Sequence, residues 1–260
     1  MHDRNLKILI EYDGTGFSGW QVQPARRTVQ GELERAFTEL AGEPVRVHGA
    51  GRTDSGVHAL GQVAHVPTAI KLRPAEIAGA VNSRLPDDVL VKDAEDVPSE
   101  FNARFDAVSR SYFYLIGREK SPLWRDRRWR VSARLDLESM RKTLGPMRGE
   151  QDFSSFCLAG SEPAHHRCRV DAISLEWEPR FGGMLVFRVE ANRFLRGMVR
   201  SIIGALVEVG RGKIAPDAMA GILEARDRGC AAATAPACGL YLERVTYTQE
   251  VGSEDIPGHR

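Results

Sequence analysis

The chain of 260 residues contains only four cysteines, Cys157, Cys168, Cys230 and Cys238, and no Cys-x-x-Cys pair. Thiols so few and so widely spaced exclude a zinc ribbon and a disulfide framework, and the four are expected to be reduced. No apolar run approaches the ~18 residues of a membrane helix. The opening Met1-His2-Asp3-Arg4-Asn5 has no apolar core of a secretion signal, so the expected compartment is the cytoplasm, with no membrane partner. A phosphate loop of the Gly-x-x-x-x-Gly-Lys kind, a cofactor fingerprint and a Ser/His/Asp arrangement are also absent. His165-His166 lies beside Cys168, but adjacent histidines point apart and no fourth ligand is spaced to join them. Neither a cofactor nor a metal is expected, which leaves the chemistry to side chains.

With 42% apolar residues the chain has enough material for one large core or two ordinary ones. Its net charge of +1 conceals segregation. Between Arg104 and Arg134 nine basic residues face three acids, and between Arg180 and Lys213 seven face two. A nearly neutral protein with two such segments can still bind a polyanion on one face. Of the 36 basic residues 30 are arginine, the side chain suited to bidentate phosphate contacts and to stacking on bases.

One short stretch concentrates polar chemistry. Gly51-Arg52-Thr53-Asp54-Ser55-Gly56-Val57-His58 places a carboxylate between two glycines and two positions from an arginine. It lies between the strand patterns Val45–His48 and Gln62–Val66. Gly49, Gly51 and Gly56 permit crowded or left-handed backbone close to a ligand. Asp54 is the candidate reactive group, and Arg52 is placed to keep it ionised or to grip an anionic substrate. Alone, Asp beside Gly more often makes a capped turn. The company of Thr53, Ser55 and His58 argues for more.

The hydrophobic pattern divides the chain into two similar halves of an α+β protein. Strand alternation at Leu6–Tyr12, a helix from Thr28, the two strands flanking the loop, a helix after Arg73-Pro74 and a strand near Val89–Lys92 give a β-α-β-β-α-β order, that of a ferredoxin-like unit. The second half repeats it approximately, with strands at 108–116, 125–130, 173–177, 184–189 and 240–247 and helices at 135–147 and 194–209. The expected organisation is an N-terminal half over 1–98, a joint over 99–108, a C-terminal half over 109–248 and a flexible tail over 249–260. Mixed and antiparallel sheets would join around a central basic cleft, with helices on the outer faces. On the strand 108–116, Arg110, Tyr112 and Tyr114 share a face, a natural platform for a flipped base in a basic cleft, although an isolated tyrosine more often packs in the sheet with its hydroxyl satisfied. Arg193, Arg196 and Arg200 fall at helical spacing beside the buried stripe of Leu195, Val199, Ile202, Leu206 and Val209.

The octapeptide, followed by Gly61-Gln62-Val63, resembles the active-site signature of the tRNA pseudouridine synthase A family. Further segments similar to that family follow in order: Glu11-Tyr12-Asp13-Gly14 with Gly19-Trp20-Gln21, Phe101 to Phe105, Arg110 to Tyr114, Ala191 to Arg200, and Gly239 to Leu242. The resemblance implies that Asp54 is catalytic, that Tyr112 contacts the substrate, that Arg200 meets Asp54 across the cleft and that Leu240 packs near the base. It implies a uridine in the anticodon arm of tRNA, at positions 38 to 40, isomerised without cofactor by a homodimer. The target must leave the RNA stack, and Arg52 is suited to take its place or hold its phosphate. Asp54 would attack C1′ or C6, or remove the C2′ proton; the sequence leaves all three open. The pair Arg196-Gly197 departs from the bulkier or more polar residues expected there, which puts the local helix packing in question. Two other classes compete: a catalytically silent tRNA-binding protein, and a hydrolase, for which no second carboxylate near Asp54 is evident.

Overall fold

The computed structural model describes residues 4–160, 165–179 and 183–248. The tail expected to be flexible, 249–260, and most of the turn before residue 184 lie outside the described residues. Strand β1 (Arg4–Tyr12) buries Leu6, Ile8 and Ile10 completely on one face, as its alternation requires. It pairs antiparallel with β3 (His58–Thr68) on one side and β4 (Val89–Val97) on the other. Helix α1 (Val29–Ala41) begins where Thr28 caps it, the Gly31 N–H donating to Oγ1 at 3.2 Å. It buries Val29, Leu33, Ala36 and Phe37, one stripe at helical spacing. Helix α2 (Pro74–Asn82) has proline as its first residue, and the Arg73 N–H donates to the Glu76 carboxylate at 3.0 Å.

The strand expected over Val45–His48 shrinks to β2 (His48–Gly49). Val45 and Val47 are buried, yet their backbone groups are taken by α1: the Val45 N–H donates to Thr38 Oγ1, the Val47 N–H to Glu34, and the Val47 carbonyl accepts from Gln30. With those groups engaged no ladder can form there.

In the second half β5 (Ala107–Gly117) is followed by the two-residue β6 (Trp129–Arg130), α3 (Leu137–Lys142), β7 (Gly149–Asp152), β8 (Arg167–Glu178), β9 (Met184–Ala191), α4 (Met198–Gly210), α5 (Ala218–Ala225) and β10 (Leu240–Tyr247). Strands 173–177, 184–189 and 240–247 stand where the pattern put them, the first two extended at their ends. The segment 125–130 is mostly a turn because its carbonyls serve side chains, Asp126 O engaging His58 and Arg127 O accepting from Tyr241. The helix expected over 135–147 closes at Lys142, and Gly145-Pro146 begins a separate short turn. The helix expected from 194 starts at Met198, four residues later. Gly197 precedes it at φ +65°, and a side chain there would strike Leu158, so the unusual Arg196-Gly197 pair fits this entry. β7 and α5 carry no usable pattern, the first being a glycine and three polar residues and the second eight residues long.

Among the described residues all strands belong to one sheet in the order β4-β1-β3-β10-β5-β9-β8-β7, with β2 on β3 and β6 on β5. The first half, β4-β1-β3-β2, and the second, β10-β5-β9-β8, have the same ferredoxin-like order, and the last strand of the second adjoins the third strand of the first. The α+β architecture with two ferredoxin-like halves is therefore the one read from the pattern. The seam is the parallel pairing of β3 with β10, Tyr241 opposite His58 and Leu242 opposite Ala59. Helix α1 packs on α2, and α3 on α4. Between these pairs the seam carries the Asp54 loop.

Burial raises all five tyrosine phenols above their ordinary value of 10, Tyr112 to about 12 and Tyr12, Tyr114, Tyr241 and Tyr247 further. Above pH 10 the unfolded chain loses these protons and the folded chain keeps them, so stability is retained below pH 10 and lost as pH rises past it. If all five stay protonated, the loss reaches about 7 kcal/mol per pH unit, enough to unfold a domain within one or two units. Tyrosinate absorbance should stay low through pH 10 and then rise together with loss of circular dichroism. A gradual titration centred at 10 with the dichroism intact would contradict this packing.

Candidate active site at the seam of the two halves

The segment after β1 wraps the Asp54 loop and fixes it. The Tyr12 hydroxyl lies 2.7 Å from Thr53 Oγ1, the Trp20 N–H donates to Thr53 O at 3.0 Å, and Ser55 Oγ donates to Phe17 O at 3.0 Å. Gln62 on β3 donates to Gly51 O at 2.9 Å. Because Gln62 is the register partner of Ile10, the loop lies on the face of the sheet that carries the Leu6, Ile8 and Ile10 core. Gly56 has φ +78°, a conformation the turn requires, and Gly49 lies against the Trp20 ring where a side chain has no room. Gly51 is different. A methyl group there would come no closer than 4.0 Å to the Tyr112 hydroxyl, its nearest neighbour, so this glycine leaves space beside that hydroxyl.

His58 closes the loop as a neutral ring. Its Nδ1 is 3.1 Å from both the Gly14 N–H and an Asp13 carboxylate oxygen, and its Nε2 is 3.1 Å from Asp126 O. Nδ1 accepts from the amide and carries no proton, so Nε2 is the protonated nitrogen and the contact with Asp13 is no ion pair. Burial pushes its pKa down, in agreement. On its other side the ring stacks on Tyr241 at 4.6 Å, and Tyr241 on Phe113 at 4.6 Å. Arg127 reaches across to Asp13 at 2.7 Å. The turn at 126–128 thus ties the second half to both flanks of the loop.

Arg200, in the first turn of α4, places Nη1 2.8 Å from Asp54 Oδ2. Its Nε donates to Ala235 O at 2.8 Å, and the Ala235 N–H returns a bond to Arg200 O at 3.0 Å. The segment around Ala233 can lie that close to α4 because of Gly204, where a side chain would overlap Ala233 O. Arg200 is 19% exposed and Asp54 32%, so the carboxylate is held from one side and open on another. Arg52 is exposed and makes no ion pair among the described residues. It leaves the holding of Asp54 to Arg200 and stands free at the mouth of the loop.

Tyr112 forms the floor, 9% exposed, with its ring edge-on to Phe194 at 5.0 Å. Its phenol, at about 12, stays protonated through the neutral range. The neighbours expected to share its binding face do other work. Tyr114 is fully buried and donates to Pro236 O at 2.8 Å. Arg110 donates to the carbonyls of Ala107, Asn192, Ala50 and Arg104, and so knots the joint, the loop and the approach to α4 together. Leu240 is buried and opposes Tyr114, whereas Leu242 opposes Tyr112. Arg193 and Arg196 precede α4 and do not extend its face; they contact His165 and Ala159 O.

Many of the arginines counted in the basic segments are already engaged: Arg125 by Asp126, Arg127 by Asp13, Arg188 by Glu178, Arg200 by Asp54, and Arg211 by Glu208. Arg52, Arg104, Arg118, Lys120, Arg130 and Arg134 are exposed and have no carboxylate partner among the described residues. Among those same residues no group of three His, Cys, Asp or Glu side chains is gathered for a metal.

A family model described as tRNA pseudouridine synthase matches residues 8–106 and 146–248. The chain is 44% identical over 246 residues to the tRNA pseudouridine synthase A of Acetivibrio thermocellus, covering 94% of this chain and 100% of that one. It is 41% identical over 247 residues to that of Exiguobacterium sibiricum, covering 95% and 98%. With that of Maridesulfovibrio salexigens it shares 41% over 251 residues, covering 94% and 90%.

Proposed function

The chain belongs to the tRNA pseudouridine synthase family and isomerises uridine to pseudouridine in tRNA, and from that premise we propose that Asp54 is the residue that carries the reaction. The observation behind this reading is the single carboxylate held on one oxygen by Arg200 at 2.8 Å, partly open to the cleft, in a loop whose Gly51 leaves room at the Tyr112 hydroxyl.

The reaction breaks the N1–C1′ bond, turns the uracil and joins C5 to C1′; N1 gains a proton and C5 loses one, with no net change in atoms. One carboxylate suffices for each of the three routes: attack at C1′, attack at C6, or removal of the C2′ proton. In each the base must leave the RNA stack. The Tyr112 ring on the floor would receive it, Leu240 would border it, and Arg52, free of a carboxylate partner, would fill its place or hold its phosphate. Family membership supports a substrate in the anticodon arm at positions 38 to 40, a homodimer and a cytoplasmic location. Among the described residues no helix is long and apolar enough to cross a membrane.

Incubation with unmodified tRNA in a metal-chelating buffer, with hydrogen release from uracil C5 as readout, tests the reading. Pseudouridine should form, and its absence would sink the assignment. Tyr112→Phe keeps the ring and loses the hydroxyl, so tRNA affinity should hold while the single-turnover rate falls about ten- to a hundredfold if that hydroxyl moves a proton. Tyr112→Leu should lose both.

A further inference from the structure

We propose that Phe105 is an RNA-stacking residue, a platform for an unpaired base flanking the target uridine, with Arg104 backing the ring. This rests on the tRNA-modifying reading above and extends it to a part of the joint that the reaction itself does not use.

Phe105 is 78% exposed. An exposed aromatic on a loose loop carries little meaning, but this turn is held at every residue. Asn102 Oδ1 accepts from the N–H groups of Arg104 and Phe105 at 3.0 and 3.2 Å, and the Asn102 N–H donates to Asp106 at 2.8 Å. The Ala103 N–H donates to His65 Nδ1 at 3.0 Å, and Ala103 O accepts from the Tyr247 hydroxyl at 2.7 Å. The backbone beneath the ring is therefore fixed, and only the side chain's own rotation is left to order when a base stacks on it.

That place is beside the reactive loop. One nitrogen of Arg110 donates both to Arg104 O and to Ala50 O, so these carbonyls lie within hydrogen-bond reach of a single atom. Ala50 begins the loop, and Asp54 follows four residues later. The Arg104 guanidinium sits 5.6 Å from the centre of the Phe105 ring, which leaves the opposite face for a base. Arg104 and Arg52, both exposed and without a carboxylate partner among the described residues, supply the positive charge that a phosphate backbone requires. An aromatic platform interleaved with free arginines is suited to a single strand and less to an apolar protein face.

The test compares Phe105→Ala, Phe105→Leu and Phe105→Trp by equilibrium binding of unmodified tRNA and by single-turnover pseudouridine formation at saturating enzyme. Alanine and leucine should each weaken binding about ten- to a hundredfold. Tryptophan should stay within about twofold of the parent, because only it restores a π face. With all tRNA bound, the alanine and leucine rates should change far less than the affinities. Unchanged affinity in Phe105→Ala, or leucine matching the parent, would overturn the stacking role while leaving the enzyme's activity intact. If the alanine variant instead shifts the oligomeric state in sedimentation at constant affinity per protomer, Phe105 serves a second copy of the chain and the proposal fails. A parent protein that makes no pseudouridine would refute the underlying function and not this residue.

Discussion

Asp54→Asn should abolish pseudouridine formation, with a fall of at least about a thousandfold, while the protein still folds and binds tRNA at close to the parent affinity. The substitution keeps shape and removes one negative charge, so the contacts of the loop persist: Thr53, Ser55 and Gly51 are held by Trp20, Phe17 and Gln62 through groups that do not involve the carboxylate. Asparagine can neither attack C1′ or C6 nor take the C2′ proton. Binding should even gain slightly, because a carboxylate repels the RNA backbone and its amide does not. Turnover by Asp54→Asn within tenfold of the parent would remove Asp54 from the mechanism. A collapse in affinity would mean that the aspartate organises the loop.

The carboxylate was legible in the sequence because it stands alone: a glycine loop with one acid between two strands has few structural uses for it. Arg200 was legible for a related reason, as a cation bordering an otherwise apolar stripe. Of the two uses the sequence left open for Arg52, holding Asp54 falls in the fold to Arg200, 146 positions away, as the resemblance implied, and gripping an anionic substrate is the one that remains. Arg110 could not have been read. Its partners are four carbonyls from three regions, and a carbonyl leaves no trace in the sequence. The same limit governed the strands. β1, β9 and β10 follow from alternation, since their ladders use backbone groups that no side chain claims; in β8 Arg148 and Arg141 take the carbonyls of Ile173 and Leu175, and the ladder to β9 still forms. Val45–Val47 has the alternation too, but Thr38, Glu34 and Gln30 of α1 take its backbone groups, and at 125–128 His58 and Tyr241 take the carbonyls. Competition by side chains distant in sequence defeats a local pattern.

Arg200→Met should cost about a hundred- to a thousandfold in single-turnover rate, and its partner variant tells why. Methionine fills much of the volume but breaks two contacts, the 2.8 Å pair with Asp54 and the 2.8 Å bond to Ala235 O. The loop then loses its only charged link to α4 among the described residues, and the carboxylate is left to find its own position. Arg200→Lys separates charge from geometry: an ammonium reaches one of the two oxygens and not both, so its rate should fall between methionine and the parent. Stability gives the independent readout. The pair is partly screened by solvent, so Arg200→Met should lose about 1–2 kcal/mol, part of it from Asp54 left without its cation. Adding Asp54→Asn removes that unmatched charge, and the double variant should be more stable than Arg200→Met alone. The catalytic effects should likewise fail to add, because with Asp54 gone there is nothing for Arg200 to position. Additive losses in both rate and stability would show that Arg200 acts on the RNA by itself, and that the contact with Asp54 is incidental to the reaction.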